Sequence, residues 1–420
     1  MKNKIVTKII AVKRRISITD ELKDFIFKNI NYRRKVYNDF VEESRKYDNI
    51  KDFNPLSYKT KYFNEVEKPN NIYDEYCVGI SEQVAKDIKF AKKSMKGNKL
   101  LYDSKLRFKK INYFKGSFKV HCKGYYHGEN KIFCSRVRLF DDDTISFRIR
   151  KDQISMIKLK EPIFTNAIYL DKSYPYYINE KNQYMFSNED VKEISFLHEL
   201  GNFYIVLFIN VYYFINKDEI PKRKCGIDLG IHNPITLYDG TKSIIFRMSE
   251  KQIKRISYLK RRIKRLQNVI SNKEKNSRNY MKIQKKICIS YRKITNLRTD
   301  WRRKISLFIA KNYHFICLDS YKQPDILTHN KYNLNKNIIK SVNENNRSHC
   351  QSLLLKSLKH NIKRFGGKMI DSPKYSTRKC SFCGFINEKL LLNQRNLHCL
   401  NCNKIIDRDI NASINCYDYI

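Results

Sequence analysis

The sequence predicts a β-rich N-terminal half that carries helices, followed by a C-terminal half of α/β organisation. Three observations carry this. Between Lys105 and Ile215, apolar residues alternate with basic or polar ones at a period of two, the pattern of half-buried strands. From Lys224 onward, short apolar runs ending in acids alternate with long helical patterns. Near the C-terminus, two Cys-x-x-Cys pairs mark a small metal-stapled module.

The elements follow in chain order. Ile5 to Val12 reads as a strand, and Thr19 can cap a helix carrying Leu22, Phe25, Ile26, Ile30, Tyr37 and Phe40 at helical spacing. A second helix starts at Ser81 and carries Val84, Ile88 and Ala91. KLRFKKI, SFKVHC, KIFCSRVRLF and TISFRIRK, all from Lys105 onward, read as strands with one wet, positive face. Ile194 to Leu197 and Phe203 to Ile215 complete that segment, and the charged stretch Asn216 to Lys224, with Pro221, reads as a linker. KCGIDLG is then a strand ending in Asp228, and NPITLYDGTKSIIF is a hairpin turning at Asp239 and Gly240. Two amphipathic helices follow, one with Ile253, Ile256, Leu259, Ile263, Leu266 and Ile270, the other with Ile283, Ile287, Tyr291, Ile294, Trp301, Ile305 and Phe308. A polar loop near Asn276 joins them. FICLDS is a strand ending in Asp319, Cys350 to Phe365 a helix, KMIDS a strand ending near Asp371, and DRDINASINCYDYI a helix starting near Asp407 to Asp409.

Composition narrows the function. The 420 residues include 85 Lys+Arg against 42 Asp+Glu, a formal charge of +43, with 41% hydrophobic residues. That apolar content covers a real core and excludes disorder throughout. An excess of positive charge on this scale points to a polyanionic partner, DNA or RNA, and away from a small-molecule enzyme or a scaffold. Between Lys251 and Lys304 there are 20 Lys/Arg and only two acids, Glu274 and Asp300. One sign across a helical hairpin favours phosphate contact, with Arg261, Arg262, Lys264 and Arg265 the candidate contacts. The N-terminus has no signal-peptide core, and Phe203 to Ile215 is too short to cross a bilayer. The expectation is an intracellular chain, acting at nucleic acid.

Cys380, Cys383, Cys399 and Cys402 form C-x2-C-x15-C-x2-C, a spacing that lets two tight turns offer four thiolates to one Zn²⁺. With no ligand position left open, that zinc is structural. The other eight cysteines are scattered singly. Asp228, Asp319 and Asp409 are the second constellation, three carboxylates at strand or helix ends. Mg²⁺ takes such hard oxygen ligands, and a phosphodiester-cutting site needs a few of them from separate elements.

These stretches resemble the TnpB proteins of insertion sequences, which are similar to compact type V CRISPR effector nucleases and to Fanzor proteins. The matching segments are GIDLGIHNPITLYDG at 226–240, ITNLRTDWRRKISLFIAKNYHFICLD at 294–319, and SPKYSTRKCSFCG followed by CLNCNKIIDRDINASIN within 372–415, in the family's order. The N-terminal half resembles the family only through RFKK at 107–110. The resemblance implies a RuvC-like nuclease domain of the RNase H type at 221–375, with a basic helical hairpin at 250–310. It implies a zinc ribbon at 376–405 inserted into that domain, which closes at 406–420. It further implies a wedge-like β-barrel formed by 1–15 and 105–220, interrupted by a helical recognition insertion at 16–104. In the family, an RNA from the element's end guides Mg²⁺-dependent DNA cleavage, so the resemblance implies an RNA-guided endonuclease associated with transposition. Asp228 and Asp409 match the first and last catalytic acids, Asp407 being a neighbour, and the four cysteines match the zinc ligands. Where the family has Glu in an apolar-E-D-L motif, this chain has Leu318-Asp319-Ser320. That departure leaves a nuclease-dead RNA-guided binder open as an alternative, with Asp371 or Glu344 as substitute acids; a guide-free zinc-ribbon DNA-binding protein is the third reading.

Overall fold

The computed structural model describes residues 4–47, 52–70, 76–77, 79–96, 106–111, 114–121, 191–215, 223–230, 233–319, 351–388, 390 and 394–420, together with short segments between 125 and 186. Contacts divide the chain into two compact units, residues 5–214 and residues 215–420 with 1–4.

The first unit opens with β1 (Lys4–Arg15) and α1 (Asp20–Ser44). Thr19 caps α1 as its pattern predicts, the hydroxyl accepting from Leu22 N at 3.3 Å, and Leu22, Phe25, Ile26 and Phe40 are buried. The sequence reading passed over α2 (Pro55–Tyr62), although Asn54 before Pro55 is a helix-start signal. Asn54 Oδ1 caps Leu56 N, and a short π-helical turn, Phe63–Glu67, follows. α3 (Ile80–Lys96) buries Val84 and Ile88. The remaining strands of this unit are β2 (Lys115–His121), β3 (Tyr125–His127), β4 (Asn130–Ile132), β5 (Val137–Leu139), β6 (Thr144–Arg148), β7 (Ile154–Lys158), β8 (Ala167–Tyr169), β9 (Tyr184–Phe186), β10 (Val191–Glu199) and β11 (Asn202–Ile215).

The principal sheet runs in the order β1, β11, β10, β2. β10 and β11 form a hairpin whose two turn residues, Leu200 and Gly201, both take positive φ, the combination that matches strand twist. Ile16 makes a further bridge to Leu159. Beside this row of four strands, the described pairings of the unit are a three-stranded sheet, β5–β6–β7, and the pairs β3–β4 and β8–β9. KLRFKKI is not a strand over its described part, 106–111. There the Asn38 side chain satisfies the Lys109 backbone in both directions, at 2.8 and 3.1 Å, replacing a ladder.

The second unit is α/β. β12 (Lys224–Asp228), β13 (Ile235–Tyr238) and β14 (Ser243–Phe246) form an antiparallel meander. Gly240 takes φ +94° at the predicted turn, and Asp239 Oδ1 accepts from Thr241 N and Lys242 N. α4 (Glu250–Ser271) starts with a capping box of Ser249 and Gln252, and α5 (Arg278–Asn312) starts at Ser277. Leu259, Ile263, Ile287, Ile294 and Trp301 are buried, whereas the predicted core residues Ile253, Tyr291 and Phe308 are exposed. β15 (Phe315–Asp319), α6 (Gln351–Arg364) and β16 (Lys368–Asp371) continue the fold. β12, β15 and β16 are parallel, giving a five-stranded mixed sheet in the order β14, β13, β12, β15, β16. β17 (Asn396–His398) pairs with β18 (Ile405–Asp407), which runs into α7 (Arg408–Asp418). Of the predicted linker, residues 216–222 lie outside the described residues, and Lys224 belongs to β12. Among the described residues no helix is long and apolar enough to cross a membrane.

Candidate functional site

The acidic site is built on two adjacent parallel strands and one helix. Asp228 and Asp319 are ladder partners at the C-terminal ends of β12 and β15, so their side chains share one face of the sheet. α7 lies directly on β12. A Cβ on Gly226 would fall 2.1 Å from Ser413 O and 2.3 Å from Tyr417 N, so only glycine admits the helix backbone. This close approach brings Asp409, in the first turn of α7, to the strand ends. Asp407 is the N-cap, its Oδ1 accepting from Asp409 N at 2.9 Å and Ile410 N at 3.1 Å.

Asp228 is 7% exposed and Asp409 5%. Burial, then the charges of Asp409 and Asp319, push the Asp228 carboxyl well above the usual range, against the pull of Arg408 and Arg395. Asp228 and Asp319 as ladder partners, with Asp409 beside Gly230, thus lie at one end of the sheet, where a divalent cation would relieve the like charges around Asp228. The donor set there is all carboxylate, as Mg²⁺ prefers. Among the described residues, the ligand atoms already gathered tightly enough for one ion are those of the four cysteines.

Sequence reasoning missed the partners of these acids. Ser376, 5% exposed, donates its hydroxyl to Asp319 Oδ2. Arg395 Nη2 donates to Asp409 Oδ2 at 2.5 Å, and Asn233 Nδ2 donates to the same oxygen at 2.9 Å. Arg395 lies just before β17 and Asn233 just before β13, with no spacing signal to link either to Asp409. A Cβ on Gly230 would lie 2.8 Å from Asn233 O and 3.2 Å from Asp409 Oδ2, which gives the D-x-G pattern a steric reason. Asp371 does not join the cluster. It pairs with Leu318, one residue before Asp319, and so occupies the opposite face of the sheet, where it is exposed. Glu344 lies outside the described residues.

The four cysteines come together as their spacing predicts, with all four Sγ atoms within 4.8 Å of one another. Cys380 to Cys402 is 3.7 Å and Cys383 to Cys399 is 3.4 Å. Zn–S bonds of about 2.3 Å in a tetrahedron give S···S edges of about 3.8 Å, so the cluster fits zinc. The two turns are built alike. Gly384 N donates to Cys380 O and Asn403 N to Cys399 O, both at 2.9 Å, and both donor residues take positive φ, at +77° and +54°. Burial raises the Cys399 thiol, but the N–H groups of Cys402 and Asn401 outweigh it and bring it down to about 6. The Lys404 N–H lowers Cys402, yet burial and the neighbouring thiols hold it at about 11. Full ionisation thus needs a cation. Among the described residues the buried core around the cluster is Cys380, Leu397 and Cys399, with Leu390, Cys402 and Ile406 partly buried against it, a small core that a metal would staple.

Arg261, Arg262, Lys264 and Arg265 are exposed on α4, around a helix whose buried side carries Ile256, Leu259 and Ile263.

Residues 206–319 match a family model described as "Probable transposase", and residues 352–416 match "Cas12f1-like, TNB domain". Asp228 and Asp319 fall in the first match, Asp409 and the four cysteines in the second. TnpB-like protein L79 of Acanthamoeba polyphaga mimivirus is 26% identical over 212 residues, 48% of this chain and 38% of that protein. This chain is similar to TnpB-like proteins over about half of its length. The chain also aligns with "Putative RNA-guided DNA endonuclease InsQ" of Escherichia coli, 26% identical over 203 residues, 45% of this chain and 47% of that protein. The matches thus span less than half the length of these curated relatives. Among solved structures, a Cas12f1-sgRNA-target DNA complex aligns over 98% of this chain and 99% of that one, at 12% identity and a TM-score of 0.47.

Proposed function

We propose that this chain is an RNA-guided DNA endonuclease of the TnpB type, encoded by a transposable element, with a RuvC-like site that hydrolyses phosphodiesters. The observation that carries this is the pairing of Asp228 with Asp319 at the ends of two parallel strands, with Asp409 brought beside Gly230 by α7; Asp228 is raised by its burial and then by the charges of its two neighbours. Relatives named as RNA-guided DNA endonucleases support the same reading. Asp228, Asp319 and Asp409 would hold Mg²⁺. The bound metal would supply activation of water and stabilisation of the leaving oxygen. Asp228 and Asp409 provide buried oxygens from two elements; Asp319, partly exposed, provides the third and takes the Ser376 hydroxyl. Cys380, Cys383, Cys399 and Cys402 would hold structural zinc. Arg261, Arg262, Lys264 and Arg265 would contact the backbone of guide or target, base pairing with an RNA from the element's end supplying sequence. The chain would divide into a wedge-like barrel, a helical recognition insertion, the RuvC-like domain and its ribbon, a division supported by the separation of residues 5–214 from 215–420.

The test is cleavage of a plasmid library, with a matched target and randomised flanks, by protein co-expressed with its native flanking DNA. Mg²⁺-dependent cuts that require the co-purified RNA and disappear in Asp228→Ala, with RNA binding retained, are expected. A variant that also loses its RNA would contradict the assignment of Asp228.

A second reading is an RNA-guided DNA binder that does not cut. The shorter Asp319, already engaged by Ser376, favours it. Retained RNA and target binding with no cuts would decide for it. Target binding that survives RNase treatment would decide instead for a guide-free zinc-ribbon DNA-binding protein.

A further inference from the structure

Every described hydrogen bond to the Asp409 carboxylate falls on one oxygen, Oδ2, which accepts from Asn233 Nδ2 and Arg395 Nη2. Asn233 is 2% exposed, and its amide has a fixed orientation. Its Oδ1 accepts from Arg247 Nε at 3.1 Å, and Arg247 Nη2 is directed at the same oxygen. Flipping the amide would set an acceptor against a carboxylate and a donor against a guanidinium, so the assignment is chemically unique. The backbone is held as tightly, with Gly230 N donating to Asn233 O at 3.1 Å and no room for a Cβ at Gly230.

We propose that Asn233, oriented by Arg247, is a positioning residue: it fixes the rotation of Asp409 and leaves Oδ1 as the oxygen offered to a divalent cation. This rests on the reading of Asp228, Asp319 and Asp409 as a cation site. Asn233 touches neither cation nor substrate; it acts through Asp409, and Arg247 acts through Asn233. Groups of this kind orient a ligand before metal arrives, and their loss typically lowers metal affinity by about 10- to 100-fold. A buried amide that merely satisfied a carboxylate would contribute to folding and leave affinity unchanged.

The experiment is Mn²⁺ binding to the full-length, zinc-loaded protein, followed by the loss of the free Mn²⁺ electron paramagnetic resonance signal. The samples are the wild type, Asn233→Ala, Arg247→Ala, the double variant and Asp409→Ala, each with its zinc content and unfolding midpoint measured. Asn233→Ala is expected to weaken Mn²⁺ binding about tenfold. Arg247→Ala, at an exposed position, is expected to weaken it less with an unchanged midpoint, and the double variant should match Asn233→Ala alone. Unchanged affinity in folded Asn233→Ala overturns the proposal. Should Asn233→Ala not fold, Arg247→Ala decides: unchanged affinity there overturns the proposal, and weaker affinity in a normally folded protein supports it. Losses that add in the double variant also overturn it, because Arg247 would then act by another route. A wild type that binds no Mn²⁺, or an Asp409→Ala that binds as the wild type does, removes the cation-site reading itself and this inference with it.

Discussion

At single positions, charge and steric fit make the sharpest statements. Folding raises the Asp228 carboxyl well above its unfolded range, about 3.9, so the folded state holds the proton more tightly. Stability from that group is present below the unfolded value and is lost as pH rises through the folded one. In chelator, the wild type should therefore lose thermal stability relative to Asp228→Asn as pH rises above about 4, and Mg²⁺ should restore it; parallel pH profiles for the two proteins would contradict the site. Gly226→Ala places a methyl inside the α7 backbone and should cost about 3 kcal/mol or more, read by denaturant unfolding. Much of this was legible in advance. Asp228, Asp319 and Asp409 were readable as acids at element ends, and the cysteines as a metal set. Asn233 and Arg395 were not: Asn233 meets Asp409 through the approach of α7 to β12, a contact between residues far apart in the chain, and Arg395 meets it through the β17–β18 pairing, which sets Asn396 opposite Asp407.

At the level of elements, caps and turns came through well because they are local. Thr19 and the Asp239–Gly240 turn lie where their residue types predict, and the last helix starts within the predicted stretch Asp407 to Asp409, with Asp407 as its cap. Segment 106–111 failed as a strand for the complementary reason: its alternation is real, but its backbone bonds to the distant Asn38. Which faces of α4 and α5 are buried was only partly readable, since Ile253, Tyr291 and Phe308 fit the apolar period yet stay exposed. Two predictions belong here. Replacing Arg261, Arg262, Lys264 and Arg265 together with Ala should lower the slope of log affinity against log salt by roughly 3, the release of about one counterion per lost contact; an unchanged slope would take α4 out of the interface. Cys399→Ser should abolish zinc binding as measured by metal analysis. Because β18 ends at Asp407, the cap of α7, the same variant should speed backbone hydrogen exchange in the first turn of α7. Normal protection there would separate ribbon from helix.

For the whole molecule, besides the small core at the cysteines, the described residues form two large hydrophobic cores that close separately. One runs from Val12 to Ile209 and the other from Cys225 to Ile362. A piece covering 223–420 should therefore fold by itself, unfold in one cooperative transition and retain zinc; a molten piece without a sharp transition would show that its core is incomplete. The charged stretch with Pro221 reads as a linker in the sequence, and contacts divide the chain next to it, between residues 214 and 215. The two cores also bear on the gene's history. A recombination joint anywhere in codons 216–222 would split neither core, so the reading frame could exchange its front half for another while the acids and the cysteines are inherited together.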